Sequence, residues 1–189
     1  MSITYQRTRE MTIDELLLEN RVVFLIGEIN PSSAARVMMQ MLYLDKQKSA
    51  TDIHLYINSP GGAVDDTLAL YDTMRFLGSP VSTYCLGRAY SGGAVLLTAG
   101  TKGKRFILPH AKVMIHQPYG GVGGQAEDIR IQAEQIIKSK NELINILAKH
   151  TGQTPAQVRK DGERDKYFDA EEAKAYGLVD EVIAEPPKK

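Results

Sequence analysis

Ser91 occupies a position where a hydroxyl group could act as a nucleophile. It follows a stretch that begins at Gly87 and precedes residues 92–98, whose composition predicts a short apolar helix. Backbone N–H groups at the start of a helix are unpaired, so they could stabilise negative charge that develops during attack on a carbonyl group. Helix capping is the more common role of a serine at such a place. The position therefore indicates acyl-transfer chemistry only together with a base and a carboxylate.

Four histidines could supply the base. His116 follows an apolar stretch that predicts a strand and precedes Gln117-Pro118, where the chain must turn. Functional groups of α/β proteins gather at such carboxyl ends of strands. His54 lies inside a predicted strand, and His150 lies in the last turn of a predicted helix. We therefore predict that His116 is the base, with His110, in a short loop, as the alternative.

The segment Glu163-Arg164-Asp165 offers a carboxylate that could orient the imidazole. It lies in a polar loop, where a solvated charge cluster is the alternative interpretation. The chain order Ser, His, Asp differs from the Ser, Asp, His order of α/β-hydrolases. In addition, Ala89-Tyr90-Ser91-Gly92-Gly93 lacks the first glycine of their Gly-x-Ser-x-Gly turn. The sequence therefore disfavours that hydrolase fold.

The segment Asn58-Ser59-Pro60-Gly61-Gly62 is a glycine turn after a predicted strand. A phosphate-binding loop would continue with Lys and Ser or Thr, whereas Ala63-Val64-Asp65-Asp66 follows here and its carboxylates would repel phosphate. Two adjacent glycines allow close approach of another backbone and can aim an N–H group into a cleft. The turn therefore suits an oxyanion hole beside an extended peptide.

Strands and helices that alternate along the chain must position these residues, and this alternation predicts a mostly parallel sheet. The predicted strands cover 22–26, 53–57, 81–86, 106–108, 112–115 and 178–183, and the first of them is expected to be buried on both faces. A turn is predicted over 87–91. One predicted helix begins at Asn30-Pro31, and a short one begins at Thr154-Pro155. The other predicted helices cover 64–77, 92–98, 125–150 and 171–176. Residues 119–124 contain four glycines and should need an outside partner.

Composition excludes several functional classes. Lys plus Arg and Asp plus Glu each total 23, so the net charge is zero and we expect no binding of nucleic acid or of anionic membranes. The one cysteine, Cys85, excludes an intramolecular disulfide and a cysteine-rich zinc site. We expect no metal and no cofactor. No stretch resembles a signal sequence or a membrane span, so the sequence predicts a cytoplasmic protein.

Three separated motifs, taken together, resemble the caseinolytic protease ClpP family, from about residue 19 to residue 183. In chain order they are Leu55-Tyr56-Ile57-Asn58-Ser59-Pro60-Gly61-Gly62, Met114-Ile115-His116-Gln117-Pro118 with Gly120-Gly121, and Glu163-Arg164-Asp165 with Ala173 and Tyr176-Gly177-Leu178.

The resemblance implies a single-domain α/β protein with the ClpP/crotonase-type fold and the activity of a serine endopeptidase. It implies that Ser91 is the nucleophile, His116 the general base and then acid, and Asp165 the orienting carboxylate. Gly62 and Gly92 would donate backbone N–H groups to the oxyanion. The residues proposed above from their type and position are the same as those that the family motifs assign.

The resemblance also implies how the chain is organised. Residues 1–18 would be an N-terminal axial segment, 19–183 the peptidase domain and 184–189 a tail. Within the domain, residues 119–150 would form a protruding handle of strand and helix. An extended substrate with little side-chain selection would bind at Gly61, Ala63, Pro118, Tyr119 and Gly120.

Two partners follow from the resemblance. Copies of this chain, alone or mixed with a paralogue, would form two stacked heptameric rings around a chamber. An AAA+ unfoldase of the ClpX or ClpA/ClpC type would deliver unfolded polypeptides to it. The unfoldase would dock on an apolar pocket lined by His54, Tyr56, Phe76, Tyr84 and Phe106. Because a histidine titrates near pH ~6.5, docking should weaken in mild acid.

Two departures from the family leave alternatives open. The family usually has Met after the nucleophile, whereas this chain has Gly92, which is expected to loosen the turn. The N-terminal segment is also short. A catalytically weak or non-catalytic ring subunit, serving as a scaffold for an active paralogue, is therefore the alternative function. A crotonase-like enzyme acting on a thioester is the third, and it would not need Ser91.

Overall fold

A seven-stranded sheet organises the chain, which the computed structural model describes over residues 10–184. The strands are β1 (Val22–Ile26), β2 (Ile53–Ser59), β3 (Val81–Tyr90), β4 (Arg105–Ile107), β5 (Lys112–Ile115), β6 (Lys166–Phe168) and β7 (Glu181–Val182). The helices are α1 (Ile13–Glu19), α2 (Pro31–Gln47), α3 (Val64–Phe76), α4 (Gly92–Thr98), α5 (Ala126–Thr151), α6 (Pro155–Asp161) and α7 (Ala170–Tyr176). Half of the predicted N-terminal axial segment and nearly all of the predicted tail lie outside the described residues. Two elements, α1 and β6, were not predicted.

Strands β1, β2, β3, β4 and β7 lie side by side in that order, and all of these neighbours are parallel. Strand β5 also pairs in parallel with β3, and β6 adds antiparallel to β5. The prediction of a mostly parallel sheet is therefore confirmed. Helices α2 and α4 pack on the sheet, and α3 packs on both of them.

Local signals define several helix ends as predicted. Asn30 caps α2 through hydrogen bonds from the N–H groups of Ser32 and Ser33, and Pro31 is the first helical residue. Helix α7 ends at Gly177, which adopts the left-handed conformation with φ of 93°. These ends depend on neighbours within a few positions, which is why the sequence predicts them well.

Strand β3 is longer than predicted, and this difference decides where Ser91 lies. The predicted turn over 87–91 is wrong, because β3 continues to Tyr90. Its register against β2 shifts between the pairs Ile57–Cys85 and Ser59–Ala89, so extra residues of β3 form a bulge where Gly87 has φ of 88°. Beyond the bulge, β3 pairs with β5.

Strand β1 is buried on one face, and the prediction of burial on both faces is wrong. Val23 and Leu25 are in the core, whereas Val22 and Phe24 are half-buried and Ile26 is exposed. The reason is that, among residues 10–184, the core packs against only one face of β1.

The last predicted strand, 178–183, is shortened to Glu181–Val182. Leu178 and Val179 pack in the core instead, and the Asp180 carboxylate accepts the backbone N–H groups of Gly103 and Arg105 at 2.7 and 3.1 Å. The Asp180 N–H also donates to Arg105 O at 2.7 Å, so the backbone and the side chain of Asp180 together hold this connection to β4.

Arg105 joins the ends of three helices in the interior. Its side chain is 1% exposed, and Nη1 donates to the backbone carbonyls of Thr98 at 3.3 Å and of His150 and Gly177 at 3.0 Å. Asp180 neutralises the guanidinium through hydrogen bonds from Nε at 2.9 Å and Nη2 at 2.6 Å. This bidentate pair connects α4, α5 and α7 to the sheet.

Helix α5 is buried only near its carboxyl end. Residues 126–137 are exposed apart from the half-buried Ala133, whereas the buried residues lie from Ile144 to Thr151. Residues 119–124 form no strand, and they are exposed. A strand there would need the edge of another chain, because none of the described strands offers one nearby. No helix among residues 10–184 is both long enough and apolar enough to cross a membrane.

Candidate active site

The carboxyl ends of β2, β3 and β5 meet at one cleft of about 650 Å³. Strand β2 leads into the turn at Gly62, β3 ends at Ser91 and β5 leads into His116. Because the three strands are parallel, their following residues reach the same edge of the sheet. Ser91, His116, Asp165, Gly62 and Gly92 all line this cleft. The tertiary structure therefore brings together every residue predicted for the triad and the oxyanion hole.

Ser91 sits on a sharp turn between β3 and α4. Its φ of 54° and ψ of −118° are uncommon for a residue with a side chain and cost on the order of 1–3 kcal/mol. The Ser91 N–H donates to the carbonyl of Met114 at 2.8 Å, which fixes the turn to β5. The hydroxyl makes no capping hydrogen bond to α4. Ser91 thus occupies the N-cap position without the N-cap role, and its hydroxyl remains available in the cleft.

His116 and Asp165, the predicted base and its predicted orienting carboxylate, lie in contact. The Nδ1 atom of His116 lies 3.1 Å from Oδ1 of Asp165. The His116 side chain is 13% exposed and that of Asp165 is 53% exposed. A carboxylate at Nδ1 favours the tautomer that carries its proton there, so Nε2 is left as the acceptor. No hydrogen bond joins Ser91 Oγ to His116 in the part of the chain that the structure describes.

Gln117 holds the loop that carries Asp165, and sequence reasoning missed this role. Its backbone N–H donates to Gly162 O at 2.7 Å, and its Nε2 donates to Glu163 O at 3.2 Å. Lys140 of α5 donates to Gln117 Oε1 at 2.6 Å. Gln117 therefore connects the loop that carries Asp165 to α5. Its position beside His116 in a motif was the one available signal.

Gly62 and Gly92 each present a backbone N–H group at the cleft. Neither N–H has a hydrogen-bond acceptor among residues 10–184. Gly92 is buried, and a buried N–H without a partner is costly unless something is meant to bind it. The N–H groups of the buried Gly92 and of the exposed Gly62 are thus the two unpaired donors that an oxyanion hole beside Ser91 would use.

The missing side chain at Gly92 leaves no empty space. A Cβ atom at position 92 would lie 2.4 Å from Thr67 Oγ1 and 3.2 Å from Ile29 Cδ1. The space that a side chain would take is therefore already filled by neighbours. The expectation of a looser turn concerns the backbone and stays a prediction, and no sequence signal marked Thr67.

The predicted substrate-binding residues divide into two groups. Gly61 and Ala63 already donate their N–H groups within the chain, to Ser59 Oγ at 3.1 Å and to Ile29 O at 2.9 Å. These two N–H groups are therefore occupied within the chain, and the role of Gly61 and Ala63 in substrate binding stays a prediction. Gly61 brings the turn close to Ser91, where an added Cβ atom would lie 2.7 Å from Ser91 Cβ.

The segment from Pro118 to Gly120 forms the opposite wall of the cleft. Pro118 and Tyr119 line it, and the ring of Tyr119 meets that of His116 edge-on with 5.8 Å between centroids. Gly120 is exposed, and nothing lies within 4 Å of the place of its Cβ atom. The backbone of this segment remains free for the predicted pairing with a substrate.

The other histidines and the cysteine lie away from the cleft. His54 Nδ1 and His150 Nε2 contact the hydroxyls of Tyr84 and Tyr71, and burial lowers the pKa of both imidazoles, that of His150 to about 4. Burial raises the pKa of the Cys85 thiol to about 12, so this thiol is not a nucleophile near neutral pH. His110, the alternative base, is exposed in the loop between β4 and β5.

Aromatic rings form a row across four strands on the face opposite the helices. Phe24, Tyr56, Tyr84 and Phe106 occupy matching register positions and stack with centroid distances of 5.5, 4.5 and 5.0 Å. We call these four residues the aromatic row. All four are half-buried, so they are not ordinary core residues.

His54 and Phe76, the two other residues of the predicted docking pocket, differ in their position relative to the aromatic row. His54 lies two positions before Tyr56 on the same face, as predicted. Phe76 lies at the end of α3, is 83% exposed and contacts no ring of the row in the described chain. Because burial lowers the pKa of His54, any weakening of docking by its protonation moves to a more acidic pH than 6.5.

Comparison with known proteins gives a consistent result. The family model described as Clp protease matches residues 5–186. One curated relative, the ATP-dependent Clp protease proteolytic subunit 1 of Rhodopirellula baltica, is 53% identical over 184 residues. The match covers 97% of this chain and 81% of that relative.

Proposed function

This chain belongs to the Clp protease family, and from that premise we propose that Ser91, His116 and Asp165 are its catalytic triad. The protein is a serine protease, the proteolytic subunit of an ATP-dependent Clp protease. One observation carries the triad assignment. The imidazole of His116, bonded to Asp165, faces the same cleft as a serine held at positive φ with a free hydroxyl.

The geometry supports peptide-bond hydrolysis in two halves. Ser91 Oγ attacks the carbonyl carbon of the substrate while His116 Nε2 accepts the hydroxyl proton, and Asp165 stabilises the imidazolium. The N–H groups of Gly62 and Gly92 bind the oxyanion. His116 then protonates the leaving amine, and an acyl-enzyme remains on Ser91. Water, deprotonated by His116, attacks this ester and releases the carboxylic acid and the serine.

Assembly is expected to complete the alignment of Ser91 with His116, which no hydrogen bond yet joins. His116 begins the segment that runs through Gln117 into the exposed residues 119–124 and α5. A neighbouring copy that paired with residues 119–124 would fix this segment and with it the base. Hydrogen bonds of a triad often tighten only when the functional complex forms.

An extended, unfolded polypeptide is the substrate that the cleft suits. Backbone pairing with the segment from Pro118 to Gly120 would read no side chains, so selection should be broad. Apolar side chains of Val64, Val95, Leu143 and Leu147 line the same cleft and offer contact to an apolar substrate residue.

Assembly with an ATPase partner is part of the function of a Clp proteolytic subunit. We propose two stacked heptameric rings of this chain, alone or mixed with a paralogue, served by an AAA+ unfoldase of the ClpX or ClpA/ClpC type. Two exposed apolar surfaces support ring formation, one on α2 and one on α5. Their residues are Met39, Leu42 and Tyr43 on α2 and Ile129, Ile131, Ile136 and Ile137 on α5.

Labelling with a fluorophosphonate tests the triad directly. The probe reacts with an activated serine, so intact mass analysis of the assembled protein should show one adduct per chain, located at Ser91. Ser91→Ala should not be labelled, whereas Ser32→Ala, an exposed serine on α2, should be labelled like the wild type. Absence of labelling in the wild type, even with an unfoldase present, would favour the non-catalytic scaffold function instead.

Replacing Tyr56 with alanine tests the docking pocket. The change removes the ring at the centre of the aromatic row, which stacks on both Phe24 and Tyr84. We expect unfoldase-dependent degradation of a folded protein to fall at least tenfold, while cleavage of a short fluorogenic peptide stays within twofold. Tyr56→Phe keeps the stacked ring and should retain both activities. Loss of both activities in Tyr56→Ala would instead indicate a structural role for this residue.

A further inference from the structure

We infer that Thr67 is a positioning residue for the oxyanion hole and that it forms a size-complementary pair with Gly92. The inference rests on the proposed function, because it concerns the two N–H groups assigned to the oxyanion. Thr67 lies in the first turns of α3, 25 positions before Gly92, and is 1% exposed. Its side chain lines the cleft beside Ser91.

Thr67 contacts both halves of the oxyanion hole. On one side, its N–H and Oγ1 donate to the carbonyl of Ala63, the residue after Gly62, at 3.0 and 2.9 Å. On the other side, Thr67 Oγ1 would lie 2.4 Å and its Cγ2 3.2 Å from a Cβ atom at Gly92. Thr67 therefore holds the Ala63 carbonyl, which lies next to Gly62. It also fills the space beside Gly92.

Ile29 completes this support from below. Its backbone pairs with the turn through Ile29 N to Gly61 O at 2.8 Å and Ala63 N to Ile29 O at 2.9 Å. Its Cδ1 would lie 3.2 Å from a Cβ atom at Gly92. A contact of 3.2 Å requires Ile29 to move by only a few tenths of an ångström, whereas Thr67 Oγ1, at 2.4 Å, cannot stay where it is. Any side chain at position 92 must therefore displace Thr67 or the turn itself.

A methyl group at position 92 is thus expected to move the Gly92 N–H out of line with the Gly62 N–H. Loss of one oxyanion donor typically lowers kcat by a factor of about 10² to 10³. Such a loss acts on the transition state, so KM should change little. Removing the Thr67 side chain should make room for the methyl group and return the donor to its place.

A double-mutant cycle with short-peptide kinetics on the assembled protein tests this. We expect Gly92→Ala to lower kcat about 100-fold with KM within threefold, and to weaken binding of a peptide aldehyde, whose adduct with Ser91 needs the same donors. Thr67→Ala should lower kcat by about tenfold. Gly92→Ala combined with Thr67→Ala should be at least tenfold more active than Gly92→Ala alone.

Thr73 provides the matched control. It lies on the same helix and makes the same kind of hydrogen bond, from Oγ1 to Ala69 O at 2.8 Å, but it does not line the cleft. Thr73→Ala should keep wild-type kcat and KM. If Gly92→Ala fails to assemble, the double variant is the deciding measurement. Assembly and activity that return in the double variant support the pairing of Thr67 with Gly92. A double variant that assembles no better than Gly92→Ala overturns it.

Two results would overturn the inference while leaving the proposed function intact. One is a wild-type kcat in Gly92→Ala. The other is a double variant that is no more active than Gly92→Ala. A wild-type protein without labelling at Ser91 would instead overturn the proposed function on which the inference rests.

Discussion

Replacing His116 with alanine is expected to lower kcat/KM for a short fluorogenic peptide by a factor of about 10⁴ or more. Without the imidazole, Ser91 loses the base that we propose accepts its proton as Oγ attacks the carbonyl. The double variant Ser91→Ala with His116→Ala should be no less active than either single variant, because residues that act as a unit give non-additive losses. Initial rates at matched subunit concentration, with the assembly state checked by sedimentation, measure this.

His110→Ala is the control for that experiment. His110 is the other histidine that the sequence left open as a base, and it is exposed in a loop outside the cleft. We expect wild-type kinetics from this variant. A large loss in His110→Ala, or activity retained in His116→Ala, would contradict the assignment of the base.

Replacing Asp180 with alanine is expected to destabilise the protein by about 3–5 kcal/mol, since it leaves a buried guanidinium without a counter-charge. Arg105, its partner, is 1% exposed and also holds the carboxyl ends of three helices. The midpoint of urea unfolding, followed by circular dichroism, should fall accordingly. An unchanged midpoint would show that the pair contributes little to stability.

Lys102→Ala is the matched control for the Asp180 variant. Lys102 Nζ lies 3.3 Å from the same Asp180 carboxylate, but its side chain is 77% exposed. An exposed ion pair contributes about 0–1 kcal/mol, because water screens it. The Asp180 variant removes the carboxylate from both of its partners, whereas the Lys102 variant removes only the exposed partner.

The pH dependence of the Arg105–Asp180 pair has a definite sign. Burial raises the pKa of Asp180, but hydrogen bonds from Arg105 outweigh it and lower that pKa from 3.8 to about 2. A carboxylate whose pKa is lower in the folded state stabilises the fold above its unfolded pKa. The contribution of this pair should therefore be complete above about pH 4 and be lost as the pH falls towards 2.

The sequence predicts Ser91, His116 and Asp165 for two different reasons. Ser91 and His116 stand next to local signals, a glycine-bounded helix start and a strand end before proline. Asp165 has only a polar loop around it, and the resemblance to a family singled it out. Local signals describe where the chain turns, and catalytic groups sit at such turns in α/β proteins.

By itself, the sequence determined the helix ends, the alternation of strand and helix and the candidate triad, since caps, periodicity and motifs lie within a few residues of one another. Only the tertiary structure decided that β3 continues through a bulge at Gly87, that Gln117 holds the loop of Asp165, and that Thr67 fills the place of a side chain at Gly92. Each of these depends on atoms brought together from distant parts of the chain. Thr67 and Gly92 meet because α3 and α4 pack against each other. The residues next to either one in the sequence do not predict that contact.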